Sequence, residues 1–135
     1  MAKRKIDVQV RTYGIHTKWD SKTKELPRLL EATMSVPAQI DIEFGFVVKI
    51  MGAKNQRLDF CIDHPGIRDD SGKVRPPFDG SVYVKTNDWD FYLGDTIWDP
   101  IEDKLGDWKM WIEIDDKILA EKTFDVFDPS LGIAR

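Results

Sequence analysis

The stretch "QIDIEFGFVVKIMG", residues 39–52, decides the fold. Every even position from Ile40 to Ile50 is apolar: Ile40, Ile42, Phe44, Phe46, Val48 and Ile50. Among the odd positions, Gln39, Asp41, Glu43 and Lys49 are polar. Side chains alternate across a strand, so this pattern turns one face to a core and the other to water, as in an antiparallel sheet. A helix of the same sequence would scatter the apolar residues around its circumference. Val47 breaks the pattern and is expected to project from the polar face.

The same alternation recurs on either side. "KIDVQV" gives Ile6, Val8 and Val10; "LLEATMSV" gives Leu30, Ala32, Met34 and Val36; "RLDFCIDH" gives Leu58, Phe60 and Ile62. "DWKMWIEID" sets Trp108, Met110, Ile112 and Ile114 inward, and "SVYVKT" and "KILAEKTFDV" complete the set. In "VRTYGIH" the apolar phase slips from Val10 to Tyr13 and Ile15, which predicts a bulge near Thr12–Gly14. Turn chemistry separates the runs: Pro37, "MGAKNQ", "HPGIRDDSGKVRPPFDG", "TND" and "DDK". Short strands at spacings of about ten residues predict an all-β, antiparallel, immunoglobulin-like β-sandwich of about seven or eight strands. The helix candidates are "SKTKELPRLL", limited by Pro27, and one turn in "DPIEDKLGD".

At 135 residues the chain is expected to form a single domain, with a core over about 5–127 and a short tail, 128–135. Its five tryptophans and seven phenylalanines supply enough apolar area to offset chain entropy, which argues against disorder. The net charge of -4 leans against nucleic acid, and "MAKRK", the one basic cluster, reads as a solvated arm. Cys61 is the only cysteine, so no intrachain disulfide forms. With no apolar leader run after "MAKRK", the expected setting is cytoplasmic. No apolar run reaches the length of a membrane span, so no membrane is expected among the partners.

Several segments occur together in one order: "RTYGIH", "EATMSVPAQIDIEFGFVVKIMG", "HPGI" and "LGDWKMWIEIDDKILAEKTFDVF". In these the chain resembles the bacterial domain-of-unknown-function family DUF3859, over nearly everything from Lys5 to Phe127. The most specific parts are the T-x-x-(I/V)-P-A pattern from Thr33 to Ala38, the F-G-F of Phe44 to Phe46, and the closing G-x-W hairpin from Gly106. The resemblance implies a small immunoglobulin-like sandwich and brings no activity with it. Trp98, in "TIWDPIEDK", departs from the family pattern.

The densest reactive stretch is "FCIDHPGIRDDSGK", residues 60–73. A zinc site needs three or four ligands converging on a point, and Asp63, His64 and Asp69 are the candidates. The competing reading, which we favour, is a strand-end histidine held extended by Pro65 and feeding an Asp/Gly turn. Cys61 and His64 fall on opposite faces of a strand, so the pair lacks the geometry of an activated thiol. No G-x-S-x-G or phosphate-loop spacing occurs. The expectation is therefore no catalytic residue, no metal and no cofactor.

Trp111 has the parity of Lys109 and Glu113 and should face away from Trp108. Val47, Trp98 and Trp111 are thus the expected partner-binding residues, for a protein partner or for self-association, with an edge strand as the other route, unless a crossover loop such as 66–80 or 95–105 covers Val47 and Trp111. A second reading makes Trp89 and Tyr92, with Trp98, an aromatic platform for a sugar or nucleotide.

Overall fold

The alternation of residues 39–52 becomes strand β4 from Glu43 on (Glu43–Met51), whose Phe44, Phe46, Val48 and Ile50 are wholly buried, while Ile40 lies exposed in the turn before it. The computed structural model describes residues 5–20, 22, 23 and 25–131. Residues 1–4 of the basic arm and 132–135 of the tail lie outside the described residues, as do Ser21 and Lys24 in the first helix candidate. β4 sits between β1 (Asp7–His16) and β7 (Asp88–Thr96), and β2 (Leu29–Glu31) completes this first sheet in the order β2-β1-β4-β7.

The second sheet has the order β3-β9-β8-β5-β6. It is built from β3 (Ser35–Pro37), β5 (Arg57–Asp63), β6 (Phe78–Tyr83), β8 (Gly106–Ile114) and β9 (Lys117–Phe127). Every pairing is antiparallel except β3 with β9. The sheets enclose one apolar cluster in which the Phe44 ring meets Trp108 edge-on at 5.1 Å and Phe124 at 5.6 Å. These aromatic pairs add specific geometry to the burial that drives the packing. The expected sandwich is therefore the one observed, with nine strands among the described residues instead of seven or eight.

Two strands exceed the seven runs named above: β7 (Asp88–Thr96), which none of those runs covers, and a second strand within residues 29–37. One strand was expected there, with Leu30, Ala32, Met34 and Val36 inward. The chain instead leaves the first sheet after Glu31 and joins the second at Ser35. Thr33 makes the crossing, its Oγ1 accepting from Ser35 N–H at 3.0 Å. Val36 is buried as expected, but Leu30 is exposed, because a three-residue strand is too short for its parity to bind it to one core.

The phase slip in β1 is a register shift between Val10 and Thr12, at the bulge the sequence predicts. "SKTKELPRLL" forms no helix among its described residues, and the turn expected in "DPIEDKLGD" is the 3-10 turn Glu102–Lys104. Lys122 interrupts the alternation of β9 yet points inward, its ammonium 4.8 Å from the centre of the Tyr13 ring. Among the described residues no helix is long and apolar enough to cross a membrane.

Candidate functional site

The two outer faces of the sandwich are treated differently by the chain. On the first sheet, Gly14, Gly45 and Gly94 lie side by side across β1, β4 and β7. This bare row lets other groups descend onto the strands. A Cβ at Gly14 would stand 2.1 Å from Glu31 O, and one at Gly94 would stand 2.1 Å from the Tyr92 hydroxyl. Gly14 also has φ +123°, a backbone state that side chains disfavour.

The described residues between Thr17 and Arg28 meet this face at Trp19 and at Leu26 to Arg28. The ends of this segment are tied by Thr17 N–H donating to Arg28 O and Arg28 N–H donating to Thr17 Oγ1, each at 2.8 Å. Trp19 packs on Tyr92 with ring centres 5.7 Å apart. Pro27 is buried and shares a cleft with Val47, which is only 5% exposed.

Beneath Trp19 lies a polar network. Tyr92 donates to Glu43 Oε2 at 2.5 Å, and Thr96 Oγ1 donates to Glu43 Oε1 at 2.7 Å. His16 Nδ1–H donates to Gly14 O at 2.9 Å, so its Nε2 accepts from Thr12 Oγ1, also at 2.9 Å. Burial lowers the His16 pKa against the opposing pull of the Gly14 carbonyl and Glu43. Burial, and then the Glu43 carboxylate, push the Tyr92 phenol far up. His16, Glu43, Tyr92 and Thr96 each have a hydrogen-bond partner within this network, which is what makes burial of so many polar groups tolerable.

The 60–73 stretch divides between strand and turn. His64 is 8% exposed, with Nδ1 accepting from Ile67 N–H at 3.0 Å and Nε2–H donating to Pro76 O at 3.0 Å. Asp69 Oδ1 accepts from Ser71 N–H, Ser71 Oγ and Lys73 N–H. Those bonds to Ser71 and Lys73 hold its carboxyl below the usual range. This is the Asp/Gly turn, with both His64 nitrogens committed to the backbone. Among the described residues no three His, Cys, Asp or Glu side chains converge.

Near this turn Lys104 is wholly buried, donating to Asp103 Oδ1 at 2.6 Å and Pro100 O at 2.8 Å. Its ammonium lies 4.3 Å from the centre of the Trp98 ring, so Trp98 serves as cover for an internal cation. Asp95 points into the sandwich, beside Phe44 in the register, and burial raises its pKa to about 6.

The expected partner surface of Val47, Trp98 and Trp111 is therefore not one surface. Val47 is buried on the first sheet beside Leu26 and Pro27, Trp98 sits over Lys104, and Trp111 faces out from the second sheet. Nor do Trp89, Tyr92 and Trp98 form a platform. Trp89 stacks on Phe91 at 5.4 Å against the core, while Tyr92, one residue further, takes the opposite face and is 4% exposed.

Trp111, half-buried, lines a space of its own on the outer face of the second sheet. It pairs with Cys61 on β5, which pairs in turn with Asp79 on β6. These residues floor a shallow groove of ≈ 370 Å³ lined only by residues of β5, β6 and β8. Burial raises the Cys61 thiol pKa, and the nearby carboxylates of Asp79, Asp63 and Glu113 raise it further. The thiol is thus a poor nucleophile.

Two stacked sheets, mostly antiparallel, around an aromatic core define an immunoglobulin-like β-sandwich. The chain belongs to the family described as "Domain of unknown function (DUF3859)", whose profile matches residues 4–126. It is similar to an immunoglobulin-like protein from Pseudomonas aeruginosa, with a TM-score of 0.73 and 21% identity over 94% of this chain and 100% of that one. It also aligns, with a TM-score of 0.47 and 11% identity, to the Pseudomonas fluorescens alkylpurine DNA glycosylase AlkC, over 93% of this chain and 31% of that one. No curated protein matches it.

Proposed function

We propose that this chain is a non-catalytic protein-interaction module of the cytoplasm that docks through the outer face of its five-stranded sheet, around Trp111. The observation that carries this reading is the contrast between the two faces. The chain lays Trp19 and Pro27 against the first, and keeps a large aromatic side chain at the floor of a groove on the second. Tryptophan is enriched where partners dock, because it offers much apolar area at low entropic cost. A non-catalytic role is supported by His16 and His64, whose ring nitrogens all hold internal hydrogen bonds, and by the raised thiol pKa of Cys61. A lone thiol without a disulfide partner suits a reducing compartment.

Trp111→Ser tests the docking face. The side chain points away from the inter-sheet core, so the variant should keep its far-ultraviolet dichroism and its melting temperature. It should lose a protein that copurifies with the wild type, or the oligomer the wild type forms. Leu30→Ser, at an exposed site on β2, should lose neither. Unchanged partners and unchanged sedimentation in a folded Trp111→Ser protein would contradict the reading.

A further inference from the structure

The groove around Trp111 is chemically lopsided. Asp59, Asp79 and Glu113 line it with Arg57, around Cys61 and Trp111, and Asp63 flanks it on the same face opposite Lys109. Both bases are already engaged. Arg57 Nε donates to Asp59 Oδ1 at 2.9 Å, and Lys109 Nζ lies 3.6 Å from Glu121 Oε2. Asp63, Asp79 and Glu113 have no ion-pair partner among the described residues. Their field registers at the groove floor, where all three push the Cys61 thiol in the same direction. The aromatic centre already accommodates a cation, since the Lys109 ammonium lies 5.6 Å from the centre of the Trp111 ring. That distance is within the reach of a cation–π contact.

We propose that the groove binds a cationic segment of another protein, a Lys- or Arg-bearing strand or tail whose charges meet Asp63, Asp79 and Glu113 while an apolar stem lies on Trp111. This rests on the docking face proposed above and adds the chemistry of the partner. Charge complementarity selects that partner. A second copy of this chain set face to face would oppose the same carboxylates, so symmetric pairing through this groove is disfavoured. Lysine and arginine also carry aliphatic stems that lie well along aromatic surface, which matches an indole among carboxylates.

The test is an amide chemical-shift titration of the full chain with decalysine, and with decaglutamate as the opposite charge. Decalysine should shift amides of Cys61, Asp79 and Trp111 and lose affinity steeply as salt rises, while decaglutamate should shift none of them. The paired substitution Asp79→Asn/Glu113→Gln should weaken binding by about tenfold. Trp111→Ser should weaken it by about fivefold. Removing equal charge from the other side of the molecule, by Glu25→Gln/Glu31→Gln, should change it by less than about twofold.

Decalysine that leaves the groove amides unmoved, or an equal loss in the Glu25/Glu31 control, overturns the proposal. If that happens while Trp111→Ser still strips away the copurifying protein, the cationic partner falls and the docking face stands. If Trp111→Ser is also without effect, both fall.

Discussion

Three side chains show how position overrides residue type. Glu43 looks like a solvent residue by its parity, yet it is 5% exposed and takes hydrogen bonds from Tyr92 and Thr96. Lys104 is wholly buried under Trp98, and Asp95 faces the interior with its pKa raised to about 6. The causes at Asp95 oppose one another. Burial and Glu43 raise its pKa, while the Thr96 N–H, His64 and Lys104 lower it, and burial wins.

A carboxyl whose folded pKa lies above its unfolded value contributes stability that is full below the unfolded pKa and is lost as pH rises through the folded one. Asp95→Asn keeps an oxygen to accept from Thr96 N–H and removes the charge. It should therefore match the wild type at about pH 4 and exceed it by about 2 kcal/mol at about pH 8, a figure reduced from the full shift because Asp95 retains some exposure. Urea unfolding at the two pH values measures this, and a gain independent of pH would contradict the assignment.

At the scale of elements, the sequence was legible where a strand has one face wholly in the core. β4 and β8 are such strands, and Phe44 to Ile50 and Trp108 to Ile114 are buried on the expected phase. It was misleading at residues 29–37, where two three-residue strands belong to different sheets and parity has no room to establish itself. Cross-strand neighbours were illegible. That Trp111 stands beside Cys61, and Cys61 beside Asp79, depends on register, which no single strand encodes. The outward parity of Trp111 was the one part of the groove visible in the sequence. Val47 had the same signal and proved covered, because segment 17–28 carries no regular period that would reveal where it lies.

At Gly14 the glycine row lets the end of β2 and Thr33 approach. Gly14→Ala should set a Cβ against Glu31 O and Thr33 N in a disfavoured backbone state, at a cost of about 2–4 kcal/mol. Gly72→Ala separates strain from clash. Its φ is also positive, at +85°, but nothing lies within 4 Å of the added Cβ. It should cost only about 1 kcal/mol, so denaturant midpoints that fall equally in the two variants would contradict the close-approach argument.

The whole molecule is a sandwich with one outer face closed by its own chain and the other left open, acidic and centred on an indole. Covering the first face buries the polar network of Glu43, Tyr92, Thr96 and His16, whose short hydrogen bonds are made within that sheet. Among the described residues the second has no such cover, and the proposed partner, of opposite charge, docks on the carboxylates of Asp63, Asp79 and Glu113. Hydroxyl-radical footprinting of the protein, alone and with the partner that copurifies with it, reads this arrangement most directly. Modification of Trp111 should fall several-fold in the complex, while Leu30 and Trp19 on the other sheet react as before. Trp111 reacting equally in both samples, with protection appearing on the first sheet instead, would contradict the account.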